Sequence, residues 1–498
     1  MKRFLVKTMG CKSNQLEGVL IEENLIENGF KKTEKVSDAD FFILNSCTVT
    51  HKSDNEAFQI LNRAKKQNPQ IITVLTGCIA QVEKENLLKN PNIDIVLGND
   101  EKLNVTRFLN LYKVKCFKER GKRKEGKDFV GIETPTYEEI REENPSPIHL
   151  STCSPEETKN FFVKEIETLD SFHQVLLHDT GKTRASLKIQ DGCDHRCSYC
   201  IIPFARGKNR SADLNFILEQ IKIYENAGFK EIMLTGIHIG QWGLREEERG
   251  KRKENTPHSN KNLLYLLQTI EEHTKIERFR LGSLNPLEIS YEMLEFLKTS
   301  EKFCPHFHLS LQSMCDKTLK SMNRHYSVKQ SLDLIEKIAE IFPLGFIGSD
   351  IIAGFAGESE EDFQTTIENL KKSKLTQIHT FPYSVRKGTA AEKFDGHLPQ
   401  KIKDERAKVI KEISAQKFAE FLRANLDSIQ EVLIEKNLDK KTGMFKGVSK
   451  NYLNVLIKHE SDLGNIKNTI QKVRIESVNP VVMGSILRHC ELLHHCET

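Results

Sequence analysis

The sequence predicts an α/β protein in three parts: an amino-terminal doubly wound parallel sheet, a central incomplete (β/α)6 barrel and a small carboxy-terminal antiparallel β-barrel. Three observations predict it. Residues 1–110 alternate strand-like apolar runs with helical spacing in β-α-β-α-β order, which calls for a parallel sheet. From Ala185 the alternation restarts and runs through six β-α units, too few to close an eight-unit barrel. Beyond residue 427 the period shortens to several short strands.

In the first part, Phe4–Val6 reads as a strand and Gln15–Asn28 as a helix capped by Gly29. Strand 41–44, helix 51–67, strand 71–75 and a helix near 81–89 follow. Each strand runs into a cysteine: Cys11, Cys47 and Cys78. Ligands gather beyond the carboxyl ends of parallel strands, so three loops on one edge can bring these thiols together. The alternative is three small buried cysteines.

Residues 111–183 carry a basic run and then an acidic, proline-containing stretch; they read as a linker or insertion in which Cys116 and Cys153 have no role. Barrel strands are expected at 185–190, 230–235, 276–282, 306–312, 346–353 and 376–383, within a module of 184–426 that ends in a long helix over 401–426. The charged segment 245–261 interrupts it as a loop on the active face. Strands at 428–435, 443–448, 451–458 and 470–478 make the last module, 427–490, before a tail, 491–498. Cys304 and Cys315 read as core, and the tail pair Cys490 and Cys496 as a frayed end.

With 74 basic and 70 acidic residues the net charge is only +4, which neither requires nor excludes nucleic acid. No run of 18 apolar residues occurs, and the start MKRFLVKTMG reads as a first strand and not a signal peptide, so a cytoplasmic protein without a membrane span, and a monomer, is expected. Twelve cysteines, clustered in such a chain, point to metal or redox chemistry before disulfides.

The strongest local signal is Cys193-Asp-His-Arg-Cys197-Ser-Tyr-Cys200. Three thiols in C-x₃-C-x₂-C spacing can ligate three irons of a cubane and leave the fourth open for catalysis. A structural zinc site completed by His195 is the alternative metal reading. With Tyr199 before the last cysteine, the motif resembles the radical S-adenosylmethionine superfamily, and KIQDGCDHRCSYCIIPFARGKNRS, with Pro203, Arg206 and Gly207, resembles its methylthiotransferase branch. The resemblance implies a [4Fe–4S] cluster on Cys193, Cys197 and Cys200, and S-adenosylmethionine on its open iron. It implies cofactor contacts by Tyr199, by Gly236 in Leu234-Thr-Gly-Ile237, by Ser283, by Gln312 and by Asp350, all near strand ends. It also implies a second [4Fe–4S] cluster on Cys11, Cys47 and Cys78, and an RNA-binding TRAM-like barrel around Val432–Glu435 and Lys446–Leu453.

Gly10-Cys-Lys-Ser-Asn-Gln15 and Asn45-Ser-Cys-Thr-Val-Thr50 look most like the group that acts on N6-threonylcarbamoyladenosine of tRNA. Isopentenyladenosine of tRNA and an aspartate of a ribosomal protein are the other substrates of the branch. Outside it stand an iron–sulfur electron carrier and a zinc-stabilised RNA-binding scaffold. The expected partners are tRNA and a flavodoxin- or ferredoxin-like electron donor. Tyr452 could stack on a base or serve as core, and the basic loops 118–127 and 249–253 could help hold RNA. One departure stands out: Met314 replaces the glycine usual after Leu-Gln-Ser, which bears on Gln312 and Ser313.

Overall fold

A computed structural model of the chain describes residues 1–87, 89–110, 160–178, 181–244, 262–458, 465–478 and 481–487. The basic loops, segment 245–261, Cys116, Cys153 and the tail cysteines lie outside the described residues. The chain forms two units, residues 1–170 with 201–207, and residues 171–200 with 208–498.

The first unit is a six-stranded sheet in the order β2-β1-β3-β4-β5-β6, with every neighbour parallel. Its strands are β1 (Arg3–Thr8), β2 (Lys31–Lys32), β3 (Phe41–Ser46), β4 (Ile72–Gly77), β5 (Ile95–Leu97) and β6 (Phe161–Phe162). β3 is buried along its whole length, as a central strand covered on both faces must be. Its alternate residues divide between two cores. Phe42 and Leu44 pack with Ile60, Leu61 and Ala64 of helix His51–Gln67; Phe41 and Ile43 pack with Ile21 and Leu25 of helix Lys12–Glu27. Helix His51–Gln67 starts where expected because Thr50 caps it, its hydroxyl accepting from the Ser53 N–H. The helix expected near 81–89 is two short pieces, Cys78–Val82 and Lys84–Leu87. β6 comes from the span read as linker and extends the sheet beside β5.

The second unit contains the expected six parallel strands: β7 (Ala185–Lys188), β10 (Glu231–Thr235), β11 (Arg278–Leu281), β12 (His306–Gln312), β13 (Phe346–Ala353) and β14 (Gln377–Pro382), with the short pair β8 (Gln190–Asp191) and β9 (Arg210–Ser211) between the first two. They form two three-stranded sheets, β7-β10-β11 and β12-β13-β14, joined by single bridges Phe279–Phe303 and Leu284–Leu309. On β12, Phe307, Leu309 and Leu311 are buried while His308, Ser310 and Gln312 are only partly covered, so the even positions share one face. Helix Gln400–Ala424 packs on this sheet, and its Ser414 hydroxyl accepts from the Ile378 N–H at 2.8 Å.

After it comes a closed five-stranded barrel, β15-β16-β17-β19-β18. Its strands are β15 (Ile429–Ile434), β16 (Phe445–Ser449), β17 (Asn454–Ile457), β18 (Ile470–Ser477) and β19 (Met483–Ile486). Two details correct the sequence reading. β19 was not foreseen, and its pairing with β17 is parallel, so the barrel is not wholly antiparallel. The barrel core takes in Phe346 of β13 and Phe421 of the long helix. Arg280 of β11 donates to the carbonyls of Lys450 and Ser449 at 2.9 and 3.2 Å.

Candidate metal centres

The first unit gathers its three cysteines by the route the strand ends suggest. Cys11 caps helix Lys12–Glu27 just beyond β1, Cys47 follows β3, and Cys78 opens a short helix beyond β4. Close approach here depends on two glycines. Gly10 has φ +87°, and a β-carbon on it would lie 2.6 Å from Cys47 Cβ and 2.8 Å from its Sγ. Gly77 has φ +93°, and a β-carbon there would fall 2.3 Å from the Ser46 carbonyl oxygen. Asn14 ties the loops together, its side-chain amide donating to the carbonyls of Met9 and Ser46 at 2.6 and 3.0 Å. Loss of solvent raises the Cys11 thiol and pushes Cys47 up to about 11; the neighbouring Cys78 raises both, and Cys11 adds to the rise of Cys47.

The same unit buries Glu17, Lys102 and Arg206. Arg206 pairs with both Glu17 oxygens and reaches Asn14 Oδ1 at 3.2 Å. Lys102 Nζ lies 2.5 Å from Glu17 Oε2 and 2.7 Å from Asn99 Oδ1. Burial draws the Lys102 ammonium down, and Glu17 opposes that. Arg206 draws the Cys11 and Cys47 thiols down against their burial. Three soft thiols facing buried positive charge fit an iron–sulfur cluster, whose thiolate shell is anionic.

In the second unit, Cys193, Cys197 and Cys200 sit on the loop after β8. The Cys200 N–H donates to the Cys197 carbonyl at 3.0 Å, and Ser198 is pinned by backbone bonds to Met322 and Ala391. Cys193 Sγ lies 3.4 Å from His238 Nδ1, and Arg324 Nη1 donates to Cys197 Sγ at 3.3 Å. The other nitrogen of His238 pairs with buried Glu288. Burial would lower His238, but Glu288 and Cys193 hold it up at about 10. His195 stacks edge-on against His238, with centroids 4.6 Å apart, and burial with that neighbour takes it down to about 4. His195, His238 and Glu288 bring ligand atoms within 4.8 Å of one another, a set different from the thiols-plus-His195 zinc site the sequence allowed. The ring nitrogens of His238 face Cys193 and Glu288, and the three thiols are the soft ligands of the loop. All eight described cysteines are free thiols. Cys304 and Cys315 are buried apart from this loop, beside Glu231 and Asp362, as core residues.

The proposed cofactor contacts divide. Tyr199 packs edge-on against Phe355, with centroids 6.3 Å apart, and burial raises its phenol well above the usual value. Gly236 is needed for space: a β-carbon would come within 2.8 Å of the Gln190 carbonyl oxygen. Gln190 Oε1 also accepts the N–H groups of Ile237 and His238 at 3.0 and 2.6 Å. Ser283 and Asp350 come together through His308, whose Nδ1 is 3.0 Å from Ser283 Oγ and whose Nε2 is 3.5 Å from Asp350 Oδ1. Burial pushes Asp350 up to about 7. His379 lies beside His308, centroids 5.5 Å apart. Gln312 holds φ +65°, while Met314 is buried and has no positive φ, so its side chain is accommodated without the glycine. Tyr452 packs against His306 and Phe346 with the Arg280 guanidinium 4.9 Å from its ring centre, so it has the packing role.

Sequence reasoning did not single out His238, Glu288, Arg324, His308, His379, Glu17 or Lys102. A weak signal existed for two: His238 lies two residues past Gly236, and His308 shares its strand face with Gln312.

Comparison with known proteins agrees with this architecture. Residues 3–98 match the family described as uncharacterized protein family UPF0004, and residues 187–370 match the radical SAM superfamily. The chain is 35% identical over 452 residues to threonylcarbamoyladenosine tRNA methylthiotransferase MtaB of Aquifex aeolicus, covering 89% of this chain and 97% of that one. It is 31% identical to the protein of the same name from Bacillus subtilis, covering 92% and 90%. A tRNA-2-methylthio-N(6)-dimethylallyladenosine synthase of Clostridium botulinum is 29% identical, covering 87% and 86%. With both cysteine sets in place on this fold, the chain belongs to the threonylcarbamoyladenosine tRNA methylthiotransferase family of radical S-adenosylmethionine enzymes.

Proposed function

We propose that the protein converts N6-threonylcarbamoyladenosine of tRNA, next to the anticodon, to its 2-methylthio derivative. The observation that carries this reading is the pair of separate three-cysteine sets, one beyond the parallel strand ends of the first unit and one on the loop after β8, in a chain so similar to enzymes of that name. Cys193, Cys197 and Cys200 would hold the cluster that binds S-adenosylmethionine, and Cys11, Cys47 and Cys78 the second cluster. Bound there, cluster and cofactor supply a carbon radical, a tool suited to an adenine C2–H bond that acid–base chemistry leaves alone.

The chain's own residues position and exclude. Tyr199 and Phe355 pack together at the cluster loop, and His308 of β12 links Ser283, just beyond β11, to Asp350 of β13 as a polar set. The carboxy-terminal barrel is the module assigned to grip RNA, with the base presented from a single-stranded loop where unstacking is cheapest. A flavodoxin- or ferredoxin-like protein would supply electrons to a cytoplasmic monomer. No described helix is long and apolar enough to cross a membrane.

The test is anaerobic turnover by iron-loaded, reduced protein on tRNA that carries the threonylcarbamoyl group. The nucleoside should gain CH₃S in place of hydrogen. Methyl label from S-adenosylmethionine should enter that group, with 5′-deoxyadenosine and S-adenosylhomocysteine both formed. Mass added only to isopentenyladenosine, or only to a protein, overturns the substrate. A colourless zinc protein that leaves the cofactor intact overturns the enzyme.

A further inference from the structure

We propose that His238 and Arg324 are positioning residues for the radical cluster, each hydrogen-bonding one motif sulfur and together raising the potential at which the cluster accepts its electron. The inference rests on the assignment of Cys193, Cys197 and Cys200 as cluster ligands. His238 Nδ1 is 3.4 Å from Cys193 Sγ, and Arg324 Nη1 is 3.3 Å from Cys197 Sγ.

Both donors are held from behind. His238 Nε2 pairs with Glu288, which is also bound by the Asn285 N–H at 3.1 Å. The ring is thereby held with Nδ1 facing the Cys193 sulfur and Nε2 against the carboxylate. Gly240 makes room for that carboxylate, since a β-carbon would lie 2.0 Å from Glu288 Oε2. The backbone of His238 is fixed by Gln190, which in turn donates to Asn209 Oδ1 at 2.7 Å. Arg324 spends its other groups on the Ser310 carbonyl at 2.8 Å and the Tyr326 hydroxyl at 3.0 Å. Tyr326 also donates to the Leu311 carbonyl at 2.6 Å.

The physical consequence follows from charge. A one-electron reductant gives its electron to the cluster, no proton moves, and the added negative charge spreads onto the sulfurs. Donors aimed at those sulfurs, in a partly dry site, stabilise the reduced form more than the oxidised form. Outer-shell bonds of this kind also fix ligand orientation.

The experiment is a redox titration, followed by electron paramagnetic resonance, on full-length protein with Cys11, Cys47 and Cys78 changed to Ala, so that one cluster reports. His238→Gln and Arg324→Gln should each lower the ratio of reduced to oxidised cluster about tenfold at a fixed solution potential, equivalent to about 59 mV. Arg324→Lys should recover part of that loss. Arg324→Gln is the deciding variant if His238→Gln fails to hold iron. A potential unmoved in iron-replete Arg324→Gln overturns the proposal. A protein with no [4Fe–4S] signal before any second-site change overturns the ligand assignment instead.

Discussion

Gly10→Ala is a one-carbon change whose effect can be worked out from the site. The new β-carbon would stand 2.6 Å from Cys47 Cβ and 2.8 Å from Cys47 Sγ. Carbon contacts are comfortable at about 3.5–4.0 Å, so about 1 Å must be surrendered. Cluster ligands tolerate displacements nearer ~0.2 Å. Cys47 follows β3, which is buried on both faces, so it has little room to retreat. The φ of +87° adds a cost of about 1–2 kcal/mol for any residue with a β-carbon. The variant should fold, lose about half its iron, keep cleaving S-adenosylmethionine and form no methylthio product. Gly29→Ala is the matched control: φ is +79° but nothing lies within 4 Å of the added carbon. It should show the backbone penalty alone and retain all its iron. Iron analysis by mass spectrometry of both proteins decides the matter. A Gly10→Ala protein with full iron and full product would refute the reasoning that these cysteines share one centre.

Cys193→Ala should abolish 5′-deoxyadenosine formation while leaving the amino-terminal iron in place, read by chromatography of the cleavage products beside iron analysis. Glu17→Gln leaves buried Lys102 and Arg206 without their carboxylate and should cost roughly 3–5 kcal/mol. Hydrogen exchange across Lys12–Glu27 should report faster opening, and unchanged protection would contradict it. Asp350 is raised by burial from 3.8 to about 7. The unfolded chain therefore ionises first, and stability should fall as pH rises through that interval. Denaturant midpoints measured at several pH values should show a slope that Asp350→Asn removes; an equal slope in the variant counts against the site.

What could be read in the sequence was whatever repeats or stays local. The barrel strands alternate at steady spacing, and Cys193, Cys197 and Cys200 lie within eight residues of one another. Cys11, Cys47 and Cys78 were legible only because each follows a strand of one parallel sheet. The rest depends on pairings that no local pattern records. Glu17 looks like any helix charge until Lys102 and Arg206, 85 and 189 residues away, close around it. Arg324 meets Cys197 across 127 residues. β6 has two residues and joins the sheet from a span whose composition argued for a linker. β19 has only four residues, Met-Gly-Ser-Ile, with too little alternation to announce a strand.

The shared core between β13, the long helix and the terminal barrel has a consequence for anyone hoping to retarget the enzyme. Phe346 and Phe421 finish the barrel's interior, and Arg280 closes two of its loop carbonyls. The barrel is therefore no detachable cartridge. Cutting after residue 426 would leave those aromatic rings bare, and grafting a foreign barrel would require matching them. The same packing works as a ruler. RNA gripped by the barrel would be held at a distance from the β12–β14 lumen set by side-chain contact, with no slack linker to stretch, so that which nucleotide reaches the chemistry is chosen by rigid measure as much as by base identity.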